Sequence, residues 1–372
     1  MGTVDFSLAA LRRWPDIEGP DLPAADAADR LILDESASGR TALEDGTLVV
    51  IGDGFGALTL ASAADGGHGI RVHQDALTGE RALAANADRL GLAGRFASQP
   101  LAADLVAGAR IVLLRLPRSL DALRDIAGLI AAHAAADVVV FAGGRLKHMT
   151  PTMNDVLREH FDRVDVTHAR QKSRVLIARG PHDGRDPEPR REVHDGITVC
   201  AFGEVFAGAS LDIGTRFLIE HLPPVTIDGG EVIDLACGTG IVAVTLALRH
   251  PGLHVYACDQ SAAAVASARA TAEANGVADR VEVARDDLLR TRPDASAALV
   301  ALNPPFHLGG AVNEGVAPRM FADAARVLRP GGELWTVWNS ALQYRPSLER
   351  LVGPTRQIAR NAKFTVTAST RR

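Results

Sequence analysis

Residues 301–310 read ALNPPFHLGG: an amide, two prolines and an aromatic that follow an apolar run. Proline fixes φ and donates no backbone hydrogen bond, and it holds the residue before it extended. The segment is therefore stiff, with carbonyls free to point outward. The Asn303 side-chain oxygen and the Pro304 carbonyl give two acceptors at close range. A planar –NH2 on an aromatic ring needs that pair. Its lone pair is delocalised into the ring, so it is a poor nucleophile. Accepting both of its N–H bonds draws the nitrogen towards a tetrahedral shape and stabilises the positive charge that grows there. Alignment with an electrophilic carbon supplies the rest of the rate. Phe306 can stack on the ring, a contact worth about 1–3 kcal/mol. Asn303, Pro304 and Phe306 are thus the candidate catalytic residues. Taken alone, NPPF also reads as a turn after a strand with Phe306 in the core. His307 reads as a surface or supporting residue, with proton acceptance as the lesser alternative.

A second constellation lies upstream. VIDLACGTGIVA puts a glycine turn between an apolar strand and a helix. Gly238 and Gly240 let backbone approach a ligand closely, and the helix start offers free N–H groups. With Ala243 the turn fits the G-x-G-x-x-A pattern, and Asp259 ends the next strand, where a carboxylate accepts ribose hydroxyl hydrogens. The turn alone does not separate a nicotinamide cofactor from S-adenosylmethionine. Asp234, just before it, favours the latter: a carboxylate repels a pyrophosphate and suits a cationic amino-acid end. Asp286 and Asp287 end the third strand; one of them can reach an adenine amino group, and a solvated acidic turn is the alternative. Cys237 reads as a small turn residue, since no His-Asp pair is set to activate it. No metal is required, and Cys200, Cys237 and Cys258 have no metal-like spacing.

The elements that position these residues occur twice. TLVVIGDGFGALTLA (47–61) resembles EVIDLACGTGIVAVTLA (231–247), and IVLLRLP (111–117) resembles LVALNPP (299–305). Aligning Gly54 with Gly238 places Asp75 on Asp259; Gly143-Gly144 falls opposite Gly331-Gly332, and ARQKSRVLIA (169–178) opposite ARNAKFTVTA (359–368). Strands alternate with helical patterns in both copies, which predicts an α/β chain of two tandem Rossmann-like domains with parallel sheets. The predicted division is residues 1–180, a linker rich in Pro, Gly and charge at 181–192, and residues 193–372. Val50 stands for Asp234, Arg115 for Asn303 and Leu116 for Pro304, so the first copy is degenerate and binds or braces.

The totals set bounds. Length favours two domains, and a mean hydropathy of +0.06 with 47% apolar residues suits a globular chain with buried sheets. No apolar run reaches a membrane span, the N-terminus reads as no signal peptide, and three cysteines fit a reducing cytoplasm. A net charge of −5 does not announce a nucleic-acid binder.

LDIGTRFLIEHLP, VIDLACGTGIVAVTLAL, CDQSAAAVASARATAEANG, NPPFH and ARNAKFTV resemble the two-domain bacterial ribosomal RNA guanine-N2 methyltransferases, small-subunit type C and large-subunit type G. In the first copy the resemblance continues through LRRWP, DAADRLIL, DGFGAL and LKHMTP, and DAAD, DGFGAL and DIGTRF lean towards the large-subunit type. It implies two class I methyltransferase domains, the first degenerate and RNA-holding, S-adenosylmethionine as cofactor, and methylation of a guanine exocyclic amine in ribosomal RNA, free or within a particle, in the cytoplasm. It also implies that Asp212 and Gly214 flank the methionine end with Asp234, Gly238 and Gly240. Asp259, followed by Gln260, holds the ribose; Asp287, beside Asp286, holds the adenine; Asn303, Pro304 and Phe306 hold the base. Ala236 departs from the glycine that many such turns carry, which tightens the turn without abolishing binding. RNA phosphate candidates are Arg170, Lys172, Arg174 and Arg179, with Arg185, Arg190 and Arg191 in the linker, and Arg115, Arg118, Arg145 and Lys147 on the first rim. The competing readings are methylation of a protein glutamine amide, a non-catalytic RNA-binding or ribosome-assembly protein, and, more distantly, a nicotinamide oxidoreductase. A doubled α/β domain argues against the glutamine reading, whose enzymes usually carry a small helical N-terminal domain.

Overall fold

A computed structural model describes residues 6–19, 21–40, 43–205, 207–224, 230–305 and 313–372. The chain divides into two compact units, Met1–Glu188 and Pro189–Arg372. The first contains α1 (Ala27–Arg40), β1 (Leu48–Ile51), α2 (Ala57–Ala64), β2 (Ile70–His73), α3 (Leu77–Leu90), β3 (Phe96–Ser98) and α4 (Ala103–Val106). It continues with β4 (Ile111–Arg115), α5 (Leu120–His133), β5 (Val139–Arg145), α6 (Thr152–Arg158), β6 (Phe161–Val166) and β7 (Ser173–Pro181). The second contains the hairpin β8 (Arg190–His194) and β9 (Ile197–Ala201), then α7 (Ile213–His221), β10 (Glu231–Leu235), α8 (Ile241–Arg249), β11 (Val255–Asp259) and α9 (Ala262–Ala274). It ends with β12 (Val281–Arg285), β13 (Ala297–Leu302), α10 (Asn313–Val327), β14 (Leu328–Asn339), α11 (Arg345–Leu351), β15 (Thr355–Arg360) and β16 (Phe364–Thr370).

The sheets have one topology. The first runs β3-β2-β1-β4-β5-β7-β6 and the second β12-β11-β10-β13-β14-β16-β15. Five adjacent strands pair in parallel in each; β7 and β16 are antiparallel to both neighbours, so the edge strands β6 and β15 run in the same direction as the five. The central strands are apolar throughout because helices cover both faces. In the second unit Val232, Leu299 and Ala301 face one core, and Ile233, Leu235, Val300 and Leu302 the other. Side chains at the helix starts fix where the chain leaves the strands: Ser119, Asp212 and Ser261 each accept a first-turn N–H.

Strand pairing tests the alignment of the copies. Val50 pairs with Leu113 in the first sheet as Asp234 pairs with Ala301 in the second, so Val50 does match Asp234 and Arg115 does match Asn303. Three matches are corrected. Ile51 pairs with His73 and Leu235 with Cys258, so the residue matching Asp259 is Gln74, not Asp75. Gly143 pairs with Arg115 while Leu302 pairs with Thr336, so Gly143 matches Val337, not Gly331. Gly143 also pairs with Val175 and Val337 with Val366, so ARQKSRVLIA is one residue out of step with ARNAKFTVTA, and Lys172 falls opposite Lys363, not Ala362. The glycine pairs serve different ends. A Cβ on Gly143 would collide with Ile32 of α1, whereas one on Gly332 would come within 2.9 Å of the Ala297 carbonyl.

Candidate active site

β13 ends at Leu302, so Asn303 and Pro304 stand at the C-terminal rim of the second sheet, where doubly wound folds bind ligands. Asn303 is half-buried and Pro304 buried. The Asn303 amide nitrogen donates to Asp212 Oδ2 at 3.1 Å and to Thr215 Oγ1 at 2.8 Å. Asp212 Oδ2 also takes the Thr215 N–H at 3.0 Å, so the carboxylate caps α7 and anchors the amide together. An ionised carboxylate only accepts, which fixes the NH2 side of Asn303 towards it. Oδ1 must then face away, and it is buried without a hydrogen-bond partner among the described residues. A buried acceptor left open costs free energy unless a ligand donor meets it. Phe306 and His307 lie outside the described residues.

The glycine turn stands on the neighbouring strand. Gly238 (φ +54) and Gly240 (φ +74) are both left-handed, but for different reasons. A Cβ on Gly240 would come within 2.8 Å of the Ala268 Cβ, so this glycine lets α8 close on α9. A Cβ on Gly238 would meet no atom within 4 Å, so its freedom is spent on open space. Ala236 is also left-handed (φ +58), where a side chain costs about 1–2 kcal/mol; the first unit has Gly52 at this point (φ +79).

Asp234 is buried, and its Oδ2 accepts the Ala243 N–H of α8 at 3.0 Å. Burial pushes its carboxyl up to about 7; the Ala243 bond opposes the shift, and the Asp259 charge adds to it. A cation nearby would restore its charge. Asp259 takes the Gly238 N–H at 3.1 Å on Oδ2 and the Ser261 N–H at 2.9 Å on Oδ1. A carboxylate has about four acceptor positions, so hydroxyl donors can still be met. Gln260 follows, half-buried, its carbonyl accepting from Arg285 Nε at 3.3 Å. Asp286 turns inward: Oδ1 takes the Asp287 N–H at 2.8 Å, and Oδ2 takes the Thr291 N–H and hydroxyl at 3.0 and 2.7 Å. Asp286 therefore shapes the loop, and the buried Asp287 stands 3.9 Å from Arg290. Gly214 is buried, and a Cβ there would press on Phe364 at 3.2 Å and Asp212 at 3.0 Å, so it serves packing. Burial raises the Cys237 and Cys258 thiols well above their ordinary value, which removes them as nucleophiles.

The same place in the first unit is filled by side chains. Asp53, the match of Cys237, is buried and takes the N–H groups of Gly56, Leu58 and Thr59 at 3.1, 3.1 and 2.8 Å. The helix start that a ligand would use is thus consumed. Gln74 donates to the Asp53 carbonyl. Arg115 replaces Asn303 and binds Asp26 at 2.9 Å and Asp29 at 3.1 Å, the matches of Asp212 and Thr215. Burial raises the Asp29 carboxyl to about 6 against the pull of Arg115. An ion cluster stands where the second unit keeps an open acceptor.

The structure thus brings Asp212, Thr215 and Asn303 into contact, and Asp234, Gly238 and Asp259 onto the adjoining turn. Thr215 escaped the sequence reading, although it stands in the DIGT stretch; its hydroxyl meets Asn303 only through folding. Among the described residues no cluster of His, Cys, Asp or Glu is arranged to hold a metal ion.

Comparison with known proteins agrees with this architecture. Residues 2–182 match the RLMG N-terminal domain family and residues 196–368 the methyltransferase small domain family. The ribosomal RNA large subunit methyltransferase G of Streptomyces avermitilis is 36% identical over 98% of this chain and 97% of its own. That of Shewanella amazonensis is 34% identical over 96% and 94%. Among solved structures, the T. thermophilus 16S rRNA N2 methyltransferase RsmC, bound to AdoMet and guanosine, covers 93% of this chain and 92% of its own. It has a TM-score of 0.74 at 21% identity, a likeness of fold.

Proposed function

Since the chain belongs to the ribosomal RNA large subunit methyltransferase G family, we propose that its second domain methylates the exocyclic N2 amine of a guanine in large-subunit ribosomal RNA. The observation that carries this reading is the buried Asn303 Oδ1 at the rim of the second sheet, which has no hydrogen-bond partner among the described residues.

The residues present fit S-adenosylmethionine: open space at Gly238, a carboxylate at Asp259, and a buried carboxylate at Asp234 that a cation would charge. Gly238 and Asp234 would hold its methionine end with Asp212, Asp259 and Gln260 its ribose, and Asp287 its adenine. When bound, it supplies a methyl group activated by a sulfonium. Asn303 Oδ1 accepts one N–H of the guanine amine. Asp212 and Thr215 polarise the amide from its far side and so strengthen that acceptor. Pro304 keeps the strand end stiff and supplies the second acceptor. Asn303 is neutral and takes no proton, so the surplus proton of the methylated amine leaves to solvent. The first domain, its cleft filled by Asp53 and Arg115, holds RNA and does no chemistry. Among the described residues no helix is long and apolar enough to cross a membrane, and we place the reaction in the cytoplasm, where ribosomal RNA is made.

The test is incubation with labelled S-adenosylmethionine and ribosomal RNA from a strain lacking the gene, as free RNA and as particles. Nucleoside mass spectrometry is expected to find N2-methylguanosine in large-subunit RNA. No label in any form of that RNA overturns the reading.

A further inference from the structure

The duplication lets the two sheet rims be compared residue by residue. In the second domain the turn at 361–363 joins β15 to β16 beside the Asn303 cluster. Phe364 packs against Gly214, one residue from Thr215 and two from Asp212. Lys363 is exposed, its ammonium 5.3 Å from the centre of the Phe364 ring. It has no ion-pair partner among the described residues. The turn at 170–173 holds the same place in the first domain, although Gln171 and Lys172 are left-handed there (φ +49 and +60) and the turn at 361–363 is instead closed by the Asn361 side chain. Leu146 N–H donates to the Lys172 carbonyl at 2.9 Å, as Ser340 N–H donates to that of Lys363 at 2.9 Å. Arg170 N–H donates to the Ser173 carbonyl, as Asn361 N–H donates to that of Phe364. Lys172 and Lys363 are therefore equivalent.

Neither turn is closed by its lysine side chain: both side chains are exposed, the first turn is held by backbone, and the second by the Asn361 side chain together with backbone. Around them the rims have diverged. Asp234, Asn303 and Thr215 match Val50, Arg115 and Asp29, and Asn339 and Ala341 match Arg145 and Lys147. The lysine is kept. The electrostatics give it a use. The second rim carries Asp212, Asp234, Asp259 and Asp287 on a chain of net charge −5, so a polyanion is repelled unless a local cation meets it. Lys363 is an exposed cation on the turn next to Phe364, which packs on Gly214 between Asp212 and Thr215.

We propose that these equivalent turns are phosphate contacts for the RNA substrate, Lys363 holding a phosphate of the strand that presents the guanine and Lys172, with Lys147, holding a phosphate elsewhere on the same RNA. This rests on the reading of the chain as an RNA methyltransferase.

Methylation of large-subunit RNA is measured for Lys363→Gln, Lys172→Gln and Lys363→Arg between low and moderate salt. Each Gln variant is expected to raise KM for RNA roughly tenfold and to lower the salt slope of binding by about one. The Kd for S-adenosylmethionine and the Tm are unmoved, and Lys363→Arg recovers most of the loss. A lysine that served only packing would lower Tm and leave the salt slope alone. If wild-type protein methylates the RNA but the Gln variants keep its KM and slope, the phosphate contacts are refuted and the enzyme reading stands. If wild-type protein methylates no RNA, both fall.

Discussion

Arg115 is the residue whose removal says most about how one domain became silent. It replaces Asn303 and binds Asp26 at 2.9 Å and Asp29 at 3.1 Å, with about a quarter of its side chain exposed. Breaking a buried ion pair from one side costs about 3–5 kcal/mol, because the remaining charge is stranded. Partial exposure puts Arg115→Asn at the lower end, about 3 kcal/mol. For a domain of this size that is a fall in Tm of roughly 6–12 °C. The loss depends on pH with a definite sign. Asp29 has a folded-state pKa of about 6, above its unfolded value, and without Arg115 it rises further. The folded state then binds the proton more tightly, so stability falls as pH rises from about 4 through the folded pKa and returns on acidification. Adding Asp29→Thr rebuilds the Asp212, Thr215, Asn303 arrangement and removes the stranded charge. The double variant is expected to recover most of the loss at pH 7.5, followed by circular dichroism of thermal unfolding. An unchanged Tm in the single variant, or a double variant as unstable as the single, refutes the reasoning.

Other outcomes follow from the second domain. Gly240→Ala is expected to unfold or destabilise it through the clash with Ala268, whereas Gly238→Ala folds with only the left-handed strain of about 1–2 kcal/mol yet loses S-adenosylmethionine binding; calorimetry and Tm separate the two. Asp286→Asn is expected to lower Tm by disturbing the Thr291 bonds with little direct loss of affinity, and Asp287→Ala to weaken S-adenosylmethionine binding by more than Asp286→Asn does; the reverse order of affinities contradicts the assignment. Asp234 has a folded-state pKa of about 7, raised above the unfolded value, so its contribution to stability is lost as pH rises from about 4 to 7. The cationic ligand favours its charged form, so affinity rises with pH through 7 and binding near pH 6.5 releases a proton. Asp234→Asn abolishes that release, measured by calorimetry in buffers of different ionisation enthalpy.

The duplicated α/β fold was legible because apolar strands, glycine turns and helix starts are local patterns. The placement of Asp234, Asp259, Asp286, Asp287 and Asn303 was legible because each lies at or near the end of a strand, in the order that brings it to one rim. What escaped depends on pairing across the sheet. A one-residue slip separates Asp75 from Gln74, and only the partners of β1 and β2 decide it. Gly143 and Gly331 share a spacing by coincidence, since the left-handed Gly331 near the start of β14 and the close approach of Ile32 to Gly143 each demand glycine. The inward turn of Asp286 and the bridge through Thr215 depend on side-chain direction, which composition and spacing do not encode. Asp53 could have been found, because an acid opposite Cys237 at a helix start is a capping signal.

Single-turnover methylation by Asn303→Ala, with the Kd for S-adenosylmethionine measured alongside, bears most directly on the open Oδ1 acceptor. Losing a preorganised polar contact to developing charge costs about 2.7–4 kcal/mol. The rate is therefore expected to fall by about 10²–10³-fold while the cofactor Kd stays within a few-fold of wild type. A rate close to wild type would contradict the proposed role of Asn303.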